Sequence, residues 1–265
     1  MKKQIGRVEL AWEEAGQGLP VVLLHAFPLN RTMWTPQVKE LAARYRVITP
    51  DFRGHGESGA VDEDSTMERL AEDVRGLLDA LGLERVALGG LSMGGYAAFA
   101  FLRKHAARVS ALILADTRAG ADSEEGRQAR HENAALVEKE GAGALAERLL
   151  PKLLGASTHA QRPEVVQAVR EMILSTPPVG IARALRGMAA RADSTPLLGT
   201  IKVPTLVLVG EEDVLTPPAE SEAMAKAIPG AQLVKIAKAG HLSNLEQPAA
   251  FNQALQGFLG RLPAR

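Results

Sequence analysis

Leu88–Phe99 reads LGGLSMGGYAAF, and the stretch Gly90-Leu91-Ser92-Met93-Gly94 inside it decides how the chain is read. A flexible glycine loop that happens to carry a serine is one reading. Its flanks argue for another. The apolar run "RVALGGLS" before it has the look of a strand buried on both faces, and Tyr96–Lys104 has the look of a helix. A strand that turns sharply into a helix holds its corner residue in a strained conformation. The residues two positions either side must then be very small, and Gly90 and Gly94 stand there. Ser92 is thereby predicted at a helix N-terminus with its hydroxyl exposed and the next backbone N–H pointing the same way.

Working outward, further short apolar runs alternate with helical patterns. "RVELAWEEAG" alternates as a half-buried strand does, while "PVVLLHA", "YRVITPD", "RVSALILADT" and "VPTLVLVGEED" are continuous runs, and "AQLVKIAKAGH" closes the series. Between them "STMERLAEDVRGLLDALG" is the clearest helix. Ser65 and Glu68 form a capping box, Met67, Leu70, Val74, Leu77, Leu78 and Leu81 share a face, and Gly82 ends it. Repeated strand–helix–strand order predicts an α/β fold, a mostly parallel central sheet with helices on both faces. Residues 118–200 show no convincing strand. They read as an all-helical insertion broken at Gly141, Pro151, Pro163 and Pro177-Pro178, a lid over a core made of residues 1–117 and 201–265.

The composition bounds the function. The 265 residues are 46% hydrophobic and 23% charged, with 31 Lys plus Arg against 31 Asp plus Glu and no polybasic block, which argues against nucleic acid or an anionic membrane as partner. The absence of cysteine rules out a thiolate nucleophile and thiolate metal ligands. The start "MKKQIGRVELAWEEAG" has no apolar core of a signal peptide, and a cytoplasmic protein is expected.

A serine hydroxyl is a poor nucleophile until a base takes its proton. Six histidines are available: His25, His55, His105, His131, His159 and His241. His241 lies in a loop after the last strand, where an imidazole reaches the C-terminal edge of a parallel sheet. An orienting carboxylate is also needed. Asp213 follows the strand "TLVLVG" and gives the chain order Ser92, Asp213, His241. Asp116, at the end of "LILADT", is the alternative acid; Asp213 is preferred on chain order. Oxyanion donors are expected from the backbone N–H groups of Phe27 and Met93. Candidate pocket residues are Leu29, Leu215, Leu242, Leu136 and Met188.

The motifs "LLHAFP", "DFRGHGES", "GLSMGG" and "GEEDVLTP" followed by "AGHLSNLEQP", in that order over nearly the whole chain, resemble the α/β-hydrolase superfamily. Within it, "GLSMGG" and the length resemble small carboxylesterases and 3-oxoadipate enol-lactonases, and "HAFPL" resembles cofactor-free haloperoxidases. The resemblance implies a nucleophile at Ser92, a base at His241 and an acid at Asp213. It implies cleavage of a small-molecule carboxylic ester or lactone through an acyl-enzyme, with no cofactor and no metal. A perhydrolase on the same triad, or a ligand-binding protein of this fold, are the alternatives. Ala26 departs from the family, which has glycine after the histidine. The apolar neighbours of the motifs lead us to expect a neutral substrate. Oligomeric state is not legible.

Overall fold

The computed structural model describes residues 1–262. Eight strands form one sheet: β1 (Lys2–Ile5), β2 (Val8–Ala15), β3 (Leu19–Leu24), β4 (Tyr45–Pro50), β5 (Val86–Leu91), β6 (Val109–Ala115), β7 (Thr205–Gly210) and β8 (Gln232–Ile236). Their order across the sheet is β1-β2-β4-β3-β5-β6-β7-β8. β1 pairs antiparallel with β2 and β2 with β4; every later pairing is parallel. The sheet is therefore mostly parallel, as the sequence predicts. β1 is the strand that escaped the reading: its "KKQI" is polar and exposed except at Ile5, and an edge strand carries little hydrophobic signal.

The continuous apolar runs arise because both faces of the sheet are covered. Val22 and Leu24 of β3, with Leu112 and Leu114 of β6, join one core. Val21 and Leu23, with Ala111 and Ile113, join the other. Side chains alternate across a strand, so each run must be apolar at every position. The first face is covered by α2 (Met67–Ala80) and α3 (Met93–His105), the second by α1 (Thr35–Leu41) and α11 (Pro248–Leu259). α2 presents the expected stripe, but its cap differs. Thr66 Oγ1 accepts from Arg69 N at 3.3 Å, while Ser65 N donates to Arg183 O, so the helix starts one residue later than a Ser65 cap implies. Gly82, at φ 66°, does close it.

Between β6 and β7 the chain runs through α4 (Glu124–Glu140), α5 (Ala142–Leu153), α6 (Ala156–Gln161), α7 (Pro163–Ser175) and α8 (Pro178–Ala189). Pro163 and Pro178 take the first helical position, where a missing N–H costs nothing. Pro151 lies inside α5 instead of ending it. The ring forfeits one backbone bond in the last turn, while Leu150 and Leu153 stay buried. Past β7 come α9 (Pro218–Ala227) and, between β8 and α11, the short α10 (Ser243–Glu246). No helix among the described residues is long and apolar enough to cross a membrane.

Candidate active site

Ser92 sits between β5 and α3 at φ 55°, ψ −113°, one of the few non-glycine residues with positive φ. Side chains are strained in that region, and the surroundings hold the backbone there. A Cβ on Gly90 would overlap the backbone of Gly94, and one on Gly94 would overlap the Leu24 carbonyl. The two glycines are thus dictated by close approach of backbone, as the sequence argument requires.

The C-terminal edge of the sheet brings the loops after β5, β7 and β8 together. His241 Nε2 lies 2.7 Å from Ser92 Oγ, and His241 Nδ1 lies 2.8 Å from Asp213 Oδ2. All three residues are buried. Asp213 is held by its own loop: Oδ1 accepts from Leu215 N at 2.8 Å and Thr216 N at 3.0 Å, and Oδ2 from Thr216 Oγ1 at 2.6 Å. Burial pushes the Asp213 carboxyl up, but the His241 charge and the bonds from His241 and Thr216 outweigh it and hold it below the ordinary carboxylate range.

Asp116 is placed differently. Its Oδ1 accepts from Gly210 N at 2.8 Å and its Oδ2 from Ser243 Oγ, and it makes no bond to His241. Complete burial, reinforced by the Asp213 charge, pushes it well above the usual carboxylate range.

Phe27 and Met93 flank Ser92, and among the described residues neither backbone N–H donates a hydrogen bond within the protein. His25 fixes the loop that carries Phe27. Its Nε2 accepts from Phe52 N at 3.0 Å, so Nδ1 carries the proton donated to Ala26 O at 2.9 Å. Ala26 has no positive φ, and an alanine is accommodated there. Burial lowers the pKa of His25 to about 4 and that of His55 to about 3. Both are held neutral away from Ser92.

A cavity of about 240 Å³ opens from Ser92 and His241. Phe27, Met188 and Leu215 line it. Leu29 and Leu242 do not: both are fully buried in the second core. Leu136 is half-buried on α4 and also lies outside the lining. Three leucines of α5 that the sequence reading missed, Leu145, Leu149 and Leu153, take their place on one wall. Their four-residue spacing puts them on one helix face and was available as a signal.

The polar part of the lining corrects the expectation of an apolar pocket. Tyr96, Arg118, Asp122 and Arg130 line it. Asp122 is buried and ion-paired to Arg118, Arg130 and Arg191, and Arg191 stacks over Tyr96 at 4.2 Å. Burial favours the neutral acid, yet the bonds and charges of Arg130 and Arg191 hold Asp122 far below its ordinary value. One carboxylate does not neutralise three guanidinium groups. Among the described residues, Arg118 Nε is buried without a partner, and Arg130 Nη1 meets only Met188 Sδ at 3.4 Å.

Known proteins share this architecture. The esterase of Thermogutta terrifontis, described as thermophilic and solved with malate bound, superposes at a TM-score of 0.96 with 49% identity, covering 99% of this chain and 98% of that one. The enol-lactonase of Burkholderia xenovorans LB400 superposes at 0.92 with 34% identity, covering 98% and 100%. The 3-oxoadipate enol-lactonase 1 of Acinetobacter baylyi is 34% identical over 239 residues, 90% of this chain and 88% of that protein. The family model described as the alpha/beta hydrolase fold matches residues 20–248, which takes in every strand from β4 to β8 and the loops that meet at Ser92. The chain therefore belongs to the α/β hydrolase family.

Proposed function

We propose that the protein is a serine carboxylic ester hydrolase acting on small esters or lactones. The observation that carries this reading is the continuous relay from Ser92 Oγ to His241 to Asp213, at 2.7 and 2.8 Å. Ser92 attacks the carbonyl while His241 Nε2 takes its proton. Asp213 holds the imidazole tautomer and stabilises the imidazolium. The N–H groups of Phe27 and Met93 receive the oxyanion. His241 then protonates the leaving alcohol and activates water for deacylation. Ester and lactone hydrolysis is also the activity named for the Thermogutta esterase and for the two enol-lactonases.

Helices α4, α5 and α8 supply Arg130, Leu145, Leu149, Leu185 and Met188 to the cavity, which supports reading residues 118–200 as a lid that selects the substrate. Arg118 and Arg130 give its lining a surplus of positive charge, and this favours esters or lactones that carry a carboxylate. Malate, found in the Thermogutta esterase, is a dicarboxylate.

A panel of p-nitrophenyl esters of increasing chain length, with lactones alongside, tests the reading. Wild type is expected to turn over the short members, and Ser92→Ala to lose roughly 10⁴-fold or more of that rate. Equal turnover by the two proteins would overturn it.

A further inference from the structure

Glu246 belongs to the "NLEQP" stretch that follows His241, and it is fully buried at 0% exposure. A buried carboxylate needs donors, and four converge on it. Oε1 accepts from Gly240 N at 2.9 Å and Leu242 N at 3.1 Å, the backbone N–H groups of the two residues on either side of His241. Oε2 accepts from Gly155 N at 2.7 Å and Thr158 Oγ1 at 2.6 Å, at the start of α6. The backbone of Glu246 is held as well: Arg162 Nη1 donates to its carbonyl at 2.7 Å.

The same turn of α6 reaches the other half of the relay. Ser157 N donates to Glu212 Oε2 at 2.8 Å, and the Ser157 hydroxyl donates to Oε1. Glu212 directly precedes Asp213, and its own N–H bonds Ala239 O at 2.8 Å. Gly155 and Gly240 touch backbone to backbone, for a Cβ on Gly155 would lie 2.9 Å from Gly240 N. Residues 155–158 thus bridge the acid loop and the histidine loop, yet line no part of the cavity.

We propose that Glu246 is a positioning residue for His241, and that through it the Gly155–Thr158 turn sets His241 against Ser92 and Asp213. The inference rests on His241 acting as the base. Because a displacement of about 1 Å at a reacting group costs on the order of 100-fold in rate, a carboxylate that holds the N–H groups of both neighbours of His241 controls turnover without touching substrate. The helical segment then governs chemistry as well as selection: a change in this turn alters kcat, whereas a change in the cavity wall alters KM.

The test uses Glu246→Gln and Thr158→Val in the full chain, with active sites counted by fluorophosphonate titration and kinetics followed on p-nitrophenyl butyrate. In Glu246→Gln an amide N–H₂ faces peptide donors, and kcat per titrated site is expected to fall about 10- to 100-fold with KM within about twofold. The acid limb of kcat/KM is expected to move to lower pH, because the imidazolium loses part of its contact with Asp213. Asp116 bonds Ser243 and Glu212 bonds Ser157, so neither takes over that contact. Thr158→Val should change kcat in the same direction by roughly 3- to 10-fold. A lowered melting temperature in either variant, with wild-type kcat and acid limb, would overturn the proposal. Where Glu246→Gln does not fold, unchanged kcat in Thr158→Val overturns it alone. Full turnover by His241→Ala would instead remove the base itself, an outcome distinct from either.

Discussion

Asp116 Oδ1 accepts a hydrogen bond from Gly210 N at 2.8 Å, so the carboxyl that ends β6 is committed to the end of β7 and not to the imidazole. Asp213 and Asp116 are both buried acids beside the same site, but only Asp213 bonds His241. Asp213→Asn is expected to lower kcat by roughly 10³- to 10⁴-fold, and Asp116→Asn by less than about 10-fold. Steady-state kinetics of the two variants check the ranking, and its reversal would move the acid to β6.

Acid sensitivity follows from His25 and His55. Their pKa values, about 4 and about 3 in the fold, lie below the unfolded value of 6.5. Between these limits the unfolded chain binds protons that the folded chain refuses, so stability rises with pH there and is lost as pH falls below 6.5. Each histidine contributes on the order of 3 kcal/mol to this dependence. Urea midpoints from pH 7 to pH 4 should fall steadily. His55→Asn should flatten the slope by about one proton; an unchanged slope would contradict the assignment.

The proposed preference for a substrate carboxylate rests on Arg118 and Arg130, which line the cavity. A hydrogen bond to a charged group is worth about 1.5–3 kcal/mol, equivalent to roughly 10- to 100-fold. Arg130→Met is expected to lower kcat/KM for the p-nitrophenyl monoester of glutaric acid by at least about 10-fold and to leave p-nitrophenyl butyrate within about threefold. Equal losses on both esters would assign the arginines to holding Asp122 alone.

Gly94 has no room for a side chain, whereas a Cβ on Gly199 would meet nothing within 4 Å. Gly94→Ala should cost about 3 kcal/mol or more, since the clash is with backbone that cannot rotate away. Gly199→Ala should leave the melting temperature within about 2 °C. Calorimetry of the pair checks the packing at the turn around Ser92.

How much was legible in the sequence depended on the range of the signal. The runs of β3 and β6 and the spacing of Gly90 and Gly94 are local, and local sterics dictate them. The residues that bond at 2.7 and 2.8 Å, Ser92, His241 and Asp213, each lie in the segment that follows a strand, so sheet topology alone brings their loops to one edge. The arginine wall was missed because its parts are dispersed: Arg118 and Asp122 follow β6, Arg130 lies on α4 and Arg191 follows α8. Leu242 was misplaced because an apolar residue next to a reactive one can face the core as easily as the cavity. Glu246 carried no local signal, since two of its four donors lie 91 and 88 residues away.

The central claim is that Ser92 becomes acylated, and intact-mass spectrometry after quenching with acid during turnover of a p-nitrophenyl ester measures it most directly. The account predicts wild-type protein heavier by one acyl group, the added mass mapping to the peptide that contains Ser92, and no adduct on Ser92→Ala. Turnover with no adduct at Ser92 under conditions that trap an acyl-enzyme, or an adduct that persists in Ser92→Ala, would contradict it.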